Sequence, residues 1–134
     1  MFLTYTPEQE ALRDELRAYF AQLLTPEVRE GLGGPGEGGQ VFRDTVRQMG
    51  KDGWLGIGWP EEYGGQGRPE QDQFVFFDEV QRAGAPIPFV TLNTVGPTIM
   101  SFGSEEHKQK FLPEILAGEV IFAIGYTEPD AGTD

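Results

Sequence analysis

Apolar residues in this chain recur at α-helical spacing in one stretch after another, and that periodicity limits the possible fold more than any other feature. The first stretch opens on Thr6-Pro7-Glu8-Gln9, where Thr6 can cap, Pro7 suits the first helical position and Gln9 can reach back to the cap amide. Leu12, Leu16, Phe20 and Leu23 then share one face while Arg13, Asp14, Glu15 and Arg17 lie elsewhere, which predicts a core-facing helix that stops at Thr25-Pro26. A shorter helix is expected from Val41, with Phe42, Val46 and Met49, closed by Gly50. A third spans residues 71–82, with Phe74, Phe77 and Val80 on one stripe and Val75 and Phe76 widening it, so most of it should be buried.

Pro86 and Pro88 break the chain before a helical pattern of Val95, Ile99, Met100 and Phe102, which Gly103 can end in a left-handed conformation. Ser104 can cap the next helix, with Glu105 and Glu106 complementing its dipole and Phe111, Leu112, Ile115 and Leu116 facing inward. Pro113 should bend that helix or end it early. Two glycine-rich segments separate these elements. Residues 31–39 are mostly glycine and read as a loose connector, whereas residues 53–67 interleave glycine with Trp54, Leu55, Ile57, Trp59 and Tyr63 and read as an ordered, packed loop. Residues 120–126 form the one near-continuous run of β-branched and aromatic residues, the pattern of a buried strand that needs partners. The sum is a mainly α domain of five or six helices over residues 1–119, followed over residues 120–134 by the first strand of a β domain.

A chain of 134 residues can bury roughly two-thirds of its unfolded surface, enough for one core. Its 10 Lys and Arg against 22 Asp and Glu leave a formal charge of −12, which opposes binding to nucleic acid or to anionic membrane surfaces. Cysteine is absent, so disulfides and thiolate metal sites are excluded, in keeping with a reducing compartment. No apolar run is long enough to span a bilayer, and the N-terminus lacks a basic region followed by an apolar core, so a soluble cytoplasmic protein is expected.

Several motifs reduce to ordinary structure. Gly31-Leu32-Gly33-Gly34-Pro35-Gly36 has the letters of a dinucleotide fingerprint but follows a helix instead of a strand. The lone His107 sits in the first turn of a charged helix and has no second histidine for a shared metal. Glu61-Glu62 and Glu105-Glu106 read as solvated faces or dipole partners rather than acid/base pairs. The loop from Tyr126 through Thr127-Glu128-Pro129-Asp130-Ala131-Gly132-Thr133-Asp134 is different, because it follows the strand-like run directly. Its hydroxyls, and a glycine that admits close backbone approach, suit an anion or cofactor as well as they suit a plain turn.

That loop resembles the acyl-CoA dehydrogenase signature, in which a strand runs into Thr-Glu-Pro, two small or variable residues, Gly, Ser or Thr, and Asp. Gly53-Trp54-Leu55-Gly56 with Pro60-Glu61-Glu62-Tyr63-Gly64-Gly65 is similar to the exit of that family's second helix. Gly103-Ser104-Glu105-Glu106-His107-Lys108, Phe111-Leu112-Pro113 and Leu116-Ala117-Gly118-Glu119 resemble its later helix pair in the usual order. Within the family, residues 122–129 and the Thr94-Val95-Gly96-Pro97-Thr98 segment look like enzymes of actinobacterial steroid catabolism.

The resemblance implies the N-terminal helical domain of a FAD-dependent enzyme that desaturates an acyl-CoA to a 2-enoyl-CoA, with reoxidation by an electron-transferring flavoprotein. By position it implies that Ile124, Gly125, Tyr126 and Thr127 lie along the flavin ring. Gly132 and Thr133 would approach the pyrophosphate, and Thr133, where many relatives have serine, would also meet the CoA substrate. The family's catalytic glutamate and much of its flavin site belong to later domains, so no residue of this sequence is assigned a catalytic role, and no metal is implied. A homo- or heterotetramer is expected. The rival readings are a non-catalytic acyl-CoA-binding or partner subunit and a helical interaction module without ligand.

Overall fold

The computed structural model of the chain describes residues 4–33 and 39–125. Six α-helices follow one another among them: α1 (Pro7–Leu23), α2 (Pro26–Leu32), α3 (Gln40–Lys51), α4 (Glu70–Ala83), α5 (Gly96–Phe102) and α6 (Glu105–Leu116). The mainly α expectation holds. The capping box of α1 forms as read, with the Gln9 N–H donating to Thr6 Oγ1 at 3.3 Å and the Thr6 N–H donating to Gln9 Oε1 at 3.0 Å.

Thr25-Pro26 does more than stop α1. Thr25 caps α2, accepting the Val28 N–H at 3.4 Å, with Pro26 at its first position, which repeats the chemistry that opens α1. The helix carries on through Gly31 and Leu32, so the connector expected over residues 31–39 begins later; residues 34–38 lie outside the described residues.

Leu12, Leu16 and Phe20 of α1 pack on Val75, Phe76 and Val80 of α4, and Val46 and Met49 of α3 with Leu112 and Ile115 of α6 complete the same core. Phe74 was expected on the buried stripe of α4, yet it is 63% exposed. Its place facing α1 is taken by Glu79, 3% exposed and held by Arg13 and Arg17. A helix has one face toward a single neighbour, and pairing with α1 rotates Phe74 out of it, so α4 is half-buried rather than mostly buried.

Gly50 lies inside α3, not beyond its end, because Asp52 is the C-cap. A Cβ at Gly50 would stand 2.6 Å from the Leu116 carbonyl oxygen, so the close approach of α3 to the end of α6 is what keeps glycine there. Gly103 ends α5 with φ −70°, an extended conformation instead of the left-handed one expected. Helix α6 runs through Pro113 to Leu116 without ending early. It closes at Gly118 (φ +72°), whose N–H donates to Ile115 O at 3.0 Å while the Glu119 N–H donates to Glu114 O at 2.9 Å, the Schellman arrangement.

The strand expected over residues 120–126 does not form over its described part. Residues 120–125 make no ladder, and no strand occurs among the described residues, because nothing there offers an edge to pair with. Ile121 and Ile124 are accordingly exposed, not buried.

Candidate functional site

The ordered loop after α3 sets the site's frame. Two short 3₁₀ turns, Trp54–Gly56 and Glu61–Tyr63, bring Trp54, Leu55, Ile57 and Trp59 into the core, as the aromatic content of that loop predicts. Trp59, 3% exposed, reaches the rod that starts at Phe89 and leads into α5.

That rod contains a π-turn, Thr91–Val95. Its cause is local. The Gly96 N–H donates to Thr91 O, five residues back, and Pro97 has no N–H, so the Leu92 carbonyl is left without a partner from its own helix. The Trp59 Nε1–H takes it at 3.2 Å in a buried hydrogen bond. The indole lies where a Cβ of residue 96 would be, so only glycine fits that position.

On the other side of the π-turn, Thr91 faces the segment after α6. Its side chain is fully buried; Oγ1 accepts the Phe122 N–H at 2.8 Å and donates to the Phe122 carbonyl at 3.3 Å. The Phe122 ring packs edge-on against Phe111, with centroids 5.7 Å apart. Four residues earlier the same segment is held by Gly118, and Glu119 Oε2 accepts from Arg47 Nε at 2.9 Å. Between this segment, Ile87–Thr91 and the Phe42 and Arg43 side chains of α3 runs a groove of about 900 Å³.

Of the residues expected at a cofactor, the structure brings Ile124 to the groove wall, 44% exposed. Gly125 follows in open surroundings, where an added side chain would meet nothing within 4 Å. Tyr126, Thr127, Gly132 and Thr133 lie outside the described residues. His107 is exposed, with its ring 6.1 Å from Phe111. Among the described residues no group of three or more His, Asp or Glu side chains could hold a metal ion, and no helix is long and apolar enough to cross a membrane.

The acyl-CoA dehydrogenase N-terminal domain matches residues 6–119 of this sequence. The chain belongs to that family. It is 58% identical over its whole length to acyl-CoA dehydrogenase FadE26 of Mycobacterium tuberculosis and covers 34% of it. Acyl-CoA dehydrogenase FadE29 of the same organism is 52% identical, again over all of this chain and 34% of the relative. Among solved structures, the ChsE4–ChsE5 complex from Mycobacterium tuberculosis superposes with a TM-score of 0.90 at 58% identity, covering 100% of this chain and 34% of that one. The Tcur3481–Tcur3483 steroid acyl-CoA dehydrogenase does so at 0.90 and 60%, covering 100% of this chain and 35% of that one. The chain therefore spans about a third of the length of the relatives it matches.

Seen as an acyl-CoA dehydrogenase domain, the groove suits a flat, partly apolar cofactor with an anionic tail. Ile121, Ile124 and Phe89 offer exposed apolar surface and Gly125 a bare backbone. The single acidic side chain lining the groove, Glu119, is neutralised by Arg47, and Arg43 is exposed with no ion pair among the described residues. Sequence reasoning missed Thr91 and Trp59 as parts of this site. The Gly96-Pro97 pair, read above only as part of a helical pattern, is a local signal for a departure from α geometry, but nothing local points to the partners on either side of it.

Proposed function

We propose that this domain forms one wall of the FAD and acyl-CoA site of an enzyme that desaturates an acyl-CoA thioester to a 2-enoyl-CoA. The observation that carries the reading is the anchored segment of residues 118–125, which leads an exposed Ile124 and Gly125 straight into Thr127-Glu128-Pro129, within a chain of this family. FAD, when bound, supplies the acceptor for the β hydrogen. The chain's own part is to bind and orient. Ile124, Gly125 and Tyr126 would line the ring, the Thr127 hydroxyl would hydrogen-bond beside it, and Gly132 with Thr133 would let the backbone approach the pyrophosphate and the CoA. The α proton is taken by a carboxylate from another domain, and an electron-transferring flavoprotein reoxidises the enzyme.

The relatives support a narrower substrate class, an acyl group borne on a steroid, because one similar structure is a steroid acyl-CoA dehydrogenase. Two of the similar structures carry paired names, ChsE4–ChsE5 and Tcur3481–Tcur3483, which favours a heteromeric assembly in which a different subunit completes the site.

The test uses the full-length protein that carries this domain, purified with any partner subunit. An oxidised-flavin absorption band, bleached anaerobically by an acyl-CoA, is expected; a colourless preparation that FAD does not restore would sink the reading. In that protein Thr127→Val should weaken flavin binding by about 1–3 kcal/mol, roughly 5- to 150-fold in Kd, since an isosteric methyl leaves a polar partner unmatched. An unchanged flavin Kd removes Thr127 from the site.

A further inference from the structure

We propose that Thr91 is a positioning residue: its hydroxyl takes the place of a β-ladder partner and fixes the backbone that presents Ile124 and Gly125 to the flavin. The inference rests on the flavin reading above. A ladder neighbour offers one residue both a donor and an acceptor, and a hydroxyl is the smallest side-chain group that does the same. Thr91 Oγ1 does this for Phe122, accepting its N–H at 2.8 Å and donating to its carbonyl at 3.3 Å.

Back-bonding is the ordinary use of a helical threonine, and the same molecule shows it twice: Thr45 and Thr98 each donate to the carbonyl four residues earlier at 2.7 Å. Thr91 does not, because residue 87, four before it, precedes the rod and accepts no such bond. Its hydroxyl is free to serve another segment.

The frame behind Thr91 is stiff. The Thr91 carbonyl accepts the Gly96 N–H, the next carbonyl accepts from Trp59, and the indole fills the space beside Gly96. Phe122 lies only two residues before Ile124, about 7 Å of extended chain, so a shift at Phe122 passes to the cofactor face with little slack. Residues 123–125 have no regular secondary structure of their own to hold them.

The test follows amide hydrogen exchange and flavin binding in the full-length protein for wild type, Thr91→Val and Thr91→Ser. In the wild type the Phe122 amide should exchange at least roughly tenfold more slowly than that of Ala123, although neither lies in a helix or strand of this domain. Thr91→Val should abolish that difference and raise the flavin Kd roughly tenfold with helical circular dichroism retained, and Thr91→Ser should restore both. An unprotected Phe122 amide in the wild type overturns the clamp even if Thr91→Val does not fold. Lost protection with an unchanged flavin Kd overturns the positioning role, as does a Thr91→Ser variant no better than Thr91→Val. A wild-type protein that binds no flavin sinks the functional reading instead, and the exchange data then decide the clamp alone.

Discussion

Glu79→Ala is expected to destabilise the domain by about 3 kcal/mol, read as a fall in melting temperature on the order of 10 °C. Glu79 is 3% exposed and accepts from Arg13 Nε at 3.0 Å, Arg17 Nε at 3.0 Å and Arg17 Nη2 at 3.0 Å. These charge-assisted bonds join α1 to α4 across the main helix interface. Removing the carboxylate leaves Arg13, with a side chain 16% exposed, to Glu10 and to the face of the Tyr5 ring, 4.5 Å away. Arg17 is 48% exposed and can rehydrate, which holds the loss at the lower end of the range for a broken buried pair. Glu79→Gln keeps the volume and one acceptor and should recover part of it. A loss below about 1 kcal/mol would mean that the network behaves as a surface pair.

The same group gives a pH dependence of fixed sign. Burial pushes the Glu79 carboxyl up, but the hydrogen bonds and charges of Arg17 and Arg13 outweigh it and hold the group below its ordinary value of 4.5. Because the folded value is the lower one, this stabilisation is fully present above the unfolded value and is lost as pH falls through the folded one. The stability difference between wild type and Glu79→Gln should therefore be constant from neutrality to about pH 5 and shrink in more acidic solution. A difference that grew on acidification would contradict the assignment.

Trp59→Ala should cost about 3–5 kcal/mol, the range for deleting a large buried aromatic side chain. Trp59→Phe is the milder change. It keeps an aromatic ring in the core but removes the Nε1–H, together with the benzo-ring atoms Cζ2 and Cη2 that lie beside Gly96, leaving the Leu92 carbonyl buried with neither a helical nor a side-chain donor, at about 1–3 kcal/mol for the unsatisfied carbonyl. Urea unfolding measures both, and faster exchange of the Gly96 amide in Trp59→Phe would report the π-turn relaxing. A Trp59→Phe protein as stable as wild type would show that the turn does not depend on this bond.

The sequence alone was enough for the helices whose signals are local. Thr6 and Ser104 cap where their side chains reach amides three residues on, and Leu12, Leu16 and Phe20 repeat at a spacing that only one helical face can bury. The family signature beginning at Thr127 was likewise readable, because it depends on residue order and not on contacts. Periodicity marks an apolar stripe but not which part of it meets a neighbour, so it could not tell that Phe74 faces outward while Glu79 faces α1; the two arginines that make burial of a carboxylate tolerable lie 66 and 62 residues away. The apolar run after Gly118 read as a strand because composition reports β propensity, whereas a strand exists only where another backbone pairs with it. Here Thr91, 31 residues earlier, supplies the pairing from a side chain. Whether a threonine bonds back to its own helix or across to another segment is decided by where the chain brings that segment, and only the tertiary structure holds that information.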